Sequence, residues 1–173
     1  MSERPGAVTF KGNPLTLTGD EPAVGQAAPD FTVLANDLSG VALSSLRGKV
    51  CVIATVPSLD TPVCDVETRR FNQEATSLGD GVAVLAISMD LPFAQARWCG
   101  AAGVENVRTL SDHRDAAAGK ALGVLIQELR LLARAVFVVD RDGILRYKQV
   151  VAEMTEEPDY AAALAAVREA AGP

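Results

Sequence analysis

Apolar and polar residues alternate along this chain in blocks of two kinds. Short runs rich in β-branched residues recur, and longer stretches with apolar positions three or four apart lie between them. Near the start, AVTF and LTLT flank KGNP, which predicts a small N-terminal hairpin. FTVLAND and VALSSL predict two further short strands joined by a Ser-Gly turn. KVCVIATV (residues 49–56) is an unbroken apolar run, the mark of a strand buried on both faces, and VAVLAISMD (82–90) is a second.

Between those two runs, residues 61–80 read as a helix. Val63, Val66, Phe71, Ala75 and Leu78 make a roughly helical stripe, and Gly79 supplies the stop. LPFAQARWCGAAG (91–103) predicts a shorter helix ended by glycines. VRTLSD predicts a strand, RDAAAGKALGV a helix, and ARAVFVVD with ILRYKQVV a hairpin around RDG. PDYAAALAAVREAAG closes the chain as a helix begun at a proline. The order β-α-β-α-β-α-β-β-α predicts an α/β fold: a thioredoxin-like mixed sheet flanked by helices, with an N-terminal β-hairpin. No linker or internal repeat interrupts it, so residues 1–173 read as one domain.

Composition narrows the function. Hydrophobic residues make up 49% and charged residues 22%, enough apolar content for a folded core. The net charge of −6, with no basic run, speaks against nucleic acid and against anionic membrane surfaces as partners. No apolar stretch approaches the ~20 residues of a membrane span. The N-terminal MSERPGAVTFKGNPLTL has no apolar signal-like core, so a cytoplasmic location is expected.

The odd count of cysteines argues against a secreted disulfide framework. Cys51, Cys64 and Cys99 are widely spaced and His113 is the sole histidine, so no ligand pair with zinc spacing exists. No metal is expected. The chain also lacks a Gly-rich phosphate loop, and no other cofactor is expected. Without a C-x-x-C motif, dithiol oxidoreductase chemistry of the thioredoxin type is disfavoured.

That leaves the cysteines themselves. Cys51 falls mid-strand in VCVIA and reads as core filler. Cys64 falls in PSLDTPVC, where Pro57 ends a buried strand, Thr61 suits a helix N-cap and Pro62 suits the first helical residue. Cys64 is thereby placed in the first helical turn, where free N–H groups and the positive dipole end favour an anion such as a thiolate. A free cysteine is only ~3% thiolate at pH 7. A helix start contributes ~0.3–1 kcal/mol, too little to ionise it fully. A fixed cation is therefore needed, and the candidates are Arg69, Arg70 and Arg134. Arg134 opens the buried run ARAVFVVD, an odd place for a charge unless it has an anionic partner. Arg69 and Arg70 read as a solvated helix face, Trp98 as a packing anchor, and His113 as a surface residue or cap.

Pro57, Thr61 and Cys64 form P-x-x-x-T-x-x-C, which resembles the peroxiredoxin active-site motif. The strings SLDTPVCDVETRRFN, SMDLPFAQARWCGAAG and LLARAVFVVD are similar to the thiol peroxidase branch, the atypical two-cysteine peroxiredoxins, and the likeness runs from about residue 8 to 168. The resemblance implies that Cys64 is the peroxidatic cysteine and Cys99 the resolving one, joined as a redox disulfide. It further implies that Pro57, Thr61 and Arg134 bind the substrate. By the same resemblance the chain is a homodimer that reduces hydrogen peroxide and organic hydroperoxides, is recycled by thioredoxin and serves antioxidant defence. A rival reading is a peroxide sensor that passes its oxidation to a client protein.

Two further expectations concern shape. The apolar company of the motif (Leu59, Pro62 and Val63, with Leu91, Pro92 and Phe93 nearby) predicts ready acceptance of apolar hydroperoxides. Cys64 and Cys99 lie on different predicted helices, whereas a disulfide needs Cα atoms within roughly 4.4–6.8 Å. Bond formation is therefore expected to require opening of the 91–103 segment.

Overall fold

The computed structural model describes residues 1–172, the side chain of Thr76 excepted. Val50–Thr55 forms β5, buried at all six positions, and Val82–Ser88 forms β6 parallel to it. Helix α1, Pro62–Leu78, makes the crossover between them. Helix α2, Pro92–Ala102, makes the next crossover, from β6 to the parallel strand β7, Arg108–Ser111. Strands β10 (Ala135–Val139) and β11 (Leu145–Val150) extend the sheet antiparallel on the β5 side. Strands β3 (Thr32–Leu34) and β4 (Gly40–Ala42) extend it beyond β7, giving the order β11-β10-β5-β6-β7-β3-β4.

Both faces of this mixed sheet are apolar, as the unbroken runs require. Val50, Val52 and Ala54 of β5 point into a core shared with Phe71 of α1 and with Ala163 and Val167 of α4, Tyr160–Ala171. Cys51 and Ile53, one residue out of phase, point into the opposite core with Leu17, Ile126 and Leu132. The predicted fold class is therefore the observed one.

Three segments differ from the sequence reading. The strand expected from VALSSL stops at Ala42, and Leu43–Leu46 is a 3-10 turn, because the Asp30 carboxylate accepts the Ser44 N–H and hydroxyl at 2.9 and 2.7 Å. The helix expected from RDAAAGKALGV shrinks to α3, Ala117–Leu122. Buried Asp112 takes the Ala118 and Gly119 N–H groups, and Ala116 adopts φ 50°, which breaks any helix from the N-terminal side.

The third difference matters most for the site. The N-terminal hairpin, β1 (Glu3–Phe10) and β2 (Asn13–Thr18), is half of a four-stranded antiparallel sheet. Its other half is a second hairpin, β8 (Leu125–Ile126) and β9 (Leu131–Leu132), with Leu17 paired to Ile126. Strands of two residues leave no periodic signal, so LIQELRLL carries no strand pattern of its own.

Candidate active site at the start of α1

Thr61 is the N-cap of α1, with φ −86° and ψ 147°, and Pro62 follows at the first helical position. The Thr61 hydroxyl oxygen accepts the Cys64 N–H at 3.4 Å and donates to the Ser58 carbonyl at 3.1 Å. The preceding loop hangs on one carboxylate beyond the end of β6. Asp90 accepts the Ser58 hydroxyl at 2.7 Å and the Leu59 N–H at 2.8 Å, and is itself braced by the Ser88 hydroxyl at 2.7 Å. Asp90 was not singled out in the sequence, since a carboxylate after a strand carries no distinguishing pattern.

Cys64 is wholly buried, packed with Val56 and Leu59 and flanked by Trp98. Arg134, 2% exposed and just before β10, places its Nη1 3.4 Å from the Cys64 sulfur. The same Nη1 donates to Glu67 Oε2 at 2.6 Å, while Nε and Nη2 donate to the Met154 carbonyl at 3.2 and 2.8 Å. The whole fork is thus held rigid in a dry setting. Burial opposes the charge of Arg134, yet the Cys64 sulfur and Glu67 outweigh it and hold its pKa above the ordinary value.

Glu67 is the residue that sequence reading missed. It lies on the inward face of α1 one turn beyond Cys64, is fully buried, and leaves Oε1 without a hydrogen-bond partner among the described residues. Burial pushes its carboxyl up to about 7, against the pull of Arg134. The available signal was an acid at i+3 from the cysteine, on the same helical face.

A pocket of about 390 Å³ opens onto this centre. Thr61 and Arg134 line it beside Pro57, and its walls are mostly apolar: Pro62 and Val63 of α1, Met154, Phe10 of the first hairpin, and Leu129 with Leu131 of the second. Pro57, Thr61, Cys64 and Arg134 are therefore brought together. Leu59 packs behind the sulfur instead of lining the pocket, and Pro92 is buried away from it. Leu91 and Phe93, 55% and 69% exposed, are also outside it, so the apolar walls come from α1, Met154 and the small sheet and not from α2.

Cys99 is not brought to Cys64. Its sulfur lies 3.3 Å from the Thr109 hydroxyl on β7, beside a groove of about 640 Å³ that Asn36 and Thr109 also line, and both thiols are free. Cys51 is buried in β5, and burial raises its thiol to about 11. Arg69 and Arg70 do not reach the site: Arg69 binds Asp65 and the Ala102 carbonyl, and Arg70 binds Glu74. His113 contacts Ser111 through Nδ1 at 2.9 Å and is half-buried. Among the described residues no cluster of three or more His, Cys, Asp or Glu side chains could hold a metal ion, and no helix is long and apolar enough to cross a membrane.

Residues 23–164 match the family Redoxin. The chain belongs to the redoxin family. Within it, the thiol peroxidase of Halalkalibacterium halodurans is 58% identical over 164 residues, covering 95% of this chain and 98% of that one. The thiol peroxidase of Bacillus subtilis is 59% identical over 153 residues, covering 88% and 91%. These relatives place the chain in the thiol peroxidase branch. Among solved structures, a peroxiredoxin-like protein from Aquifex aeolicus superposes with a TM-score of 0.88 at 46% identity, covering 95% of this chain and 96% of that one.

Proposed function

We propose that this redoxin is a thiol peroxidase in which Cys64 reduces hydroperoxides. The observation that carries the reading is the buried Arg134 guanidinium 3.4 Å from a sulfur in the first turn of a helix. A fixed cation and the positive end of the α1 dipole both favour an anionic sulfur. The thiolate attacks the terminal peroxide oxygen. An S–O bond forms, the O–O bond breaks, and the departing alkoxide or hydroxide leaves as alcohol or water once protonated. Thr61 and Arg134 donate hydrogen bonds to the oxygens as charge moves onto them. Pro57 shapes the entrance to the sulfur.

The product is a Cys64 sulfenic acid. The Cys99 thiolate attacks its sulfur, the hydroxyl leaves as water, and a Cys64–Cys99 disulfide remains. Because the two sulfurs face different partners in the reduced protein, this step requires α2 to open. A cytoplasmic dithiol protein of the thioredoxin type returns two electrons by exchange. One domain of residues 1–173 suffices for the cycle. The exposed apolar side chains Val66, Leu91 and Phe93 support assembly as a homodimer.

The test is steady-state NADPH consumption with thioredoxin and its reductase. The apolar pocket leads us to expect kcat/KM for cumene hydroperoxide at least equal to that for hydrogen peroxide. A single equivalent consumed without turnover would point instead to a peroxide sensor awaiting a client protein. A large preference for hydrogen peroxide would remove the apolar pocket from substrate recognition.

A further inference from the structure

Helix α2 carries Cys99, and its apolar anchorage is partial: Trp98 and Ala102 pack half-buried against the core around Phe71, and Trp98 also flanks Cys64. Of its eleven residues only Pro92 and Gln95 are buried; Gln95 Nε2 donates to the Ser88 hydroxyl and the Leu110 carbonyl at 3.0 and 2.9 Å, and its Oε1 has no partner among the described residues. Polar bonds add a directional tie to α1. The indole N–H of Trp98 donates to Asp65 Oδ1 at 3.1 Å. Asp65 Oδ2 accepts Arg69 Nε at 2.8 Å, and Arg69 Nη1 donates to the Ala102 carbonyl at 3.1 Å. The Arg69 guanidinium also lies 5.9 Å from the centre of the Trp98 ring.

These bonds join the immediate sequence neighbours of the two thiols. Asp65 follows Cys64, and Trp98 precedes Cys99. On a helix, adjacent residues point about 100° apart. Trp98 faces α1 while Cys99 faces Thr109 on β7. Any rotation or unwinding that turns Cys99 towards Cys64 swings Trp98 off Asp65.

We propose that Asp65 and Arg69 are positioning residues that set the rate of disulfide formation, as a clamp that must release Trp98 and the end of α2 before Cys99 can reach the sulfenic acid. This rests on the two-cysteine cycle above. Neither residue touches the peroxide pocket, so the clamp governs the second step and leaves the first alone. It also sets a branch point. While the clamp is closed, a second hydroperoxide can oxidise the Cys64 sulfenic acid to sulfinic acid, giving up its own oxygen and leaving as alcohol. A looser clamp shifts that competition towards the disulfide.

The experiment is rapid mixing of the reduced full-length protein with cumene hydroperoxide, followed by acid quench and mass analysis. Arg69, half-exposed, is the residue to change first. Arg69→Met removes the bonds to Asp65 and Ala102, and losing two partly exposed hydrogen bonds is expected to speed disulfide formation about three- to tenfold. The peroxide-dependent first step should stay within about twofold of the unmodified protein, since Arg69 has no contact with Cys64. Arg69→Lys, which keeps the charge opposite Asp65 but lacks the fork that also serves Ala102, should fall between. Trp98→Phe, which removes the indole donor from the other side, should accelerate the second step as well. The sulfinic fraction at excess peroxide should fall in the same order.

Unchanged disulfide rates in both Arg69→Met and Trp98→Phe would overturn the clamp. So would a parallel change of both steps in Arg69→Met, which would mark a general loosening of the fold. Failure of the unmodified protein to form any Cys64–Cys99 bond would overturn the two-cysteine cycle together with the clamp, and is a distinct readout.

Discussion

Cys64 and Cys51 are both buried thiols in the same small protein, 0% and 2% exposed, and their surroundings could hardly differ more. Cys51 sits mid-strand among apolar side chains, with the Lys49 carbonyl 3.9 Å from its sulfur. Burial there raises the thiol to about 11, which favours its protonated form at neutral pH. Cys64 sits where a helix begins, with Arg134 at 3.4 Å and Glu67 behind that arginine. Depth alone therefore does not decide a cysteine's chemistry. What decides it is whether the buried space also contains fixed positive charge and the positive end of a helix.

The contrast is broken or upheld most directly by removing each thiol in turn. Cys64→Ser should reduce peroxidase turnover to background. Cys51→Ser should keep most of it, with a stability loss of about 1–3 kcal/mol from a hydroxyl left in an apolar strand. Turnover assays and urea midpoints check the two halves, and substantial activity in the Cys64 variant would falsify the assignment.

Arg134 comes next. Arg134→Met should slow Cys64 oxidation by about 10²–10³, the usual loss for one preorganised donor to a developing oxyanion. Arg134→Lys should lose less, since it keeps charge but not the fork shared among sulfur, Glu67 and Met154. Second-order rates of Cys64 oxidation measure this. If both variants kept the original rate, the difference between the two cysteines would owe nothing to the buried cation.

The smallest effect concerns Glu67. Its carboxyl is raised from 4.5 to about 7 by burial, with Arg134 pulling the other way. The native state therefore binds that proton more tightly than the unfolded chain does. The resulting stability is complete below 4.5 and is lost as pH rises through about 7. Glu67→Gln keeps an acceptor for Arg134 without the titration, and should remove this decline. Denaturant midpoints across that pH window test it. An unchanged pH slope would mean that Arg134 holds Glu67 ionised throughout.

Much of this centre follows from local rules. Thr61 as cap, Pro62 as first helical residue and Gly79 as stop are choices that the backbone of one segment makes alone, so they are visible in the string of letters. The same holds for β5 and β6, whose apolar runs are long enough to exclude an exposed face. Arg134 drew notice only as a charge where none belonged. Its distance from Cys64, its bond to Glu67 and its two bonds to the Met154 carbonyl had no counterpart in any local pattern.

Sequence by itself thus determined the main alternation of strands and helices, the start of α1, and the placing of Cys64 in a first helical turn and Cys51 in mid-strand. These depend on residues within a turn or two of one another, where covalent geometry limits the choices. Only the tertiary structure decided that Glu67 shares the guanidinium, that Phe10 and Leu129 from separate hairpins wall the pocket, and that Cys99 faces Thr109 instead of Cys64. Those contacts join segments far apart in the chain. They are set by how the two sheets and α2 pack, a global minimum over many weak contacts that no single stretch encodes.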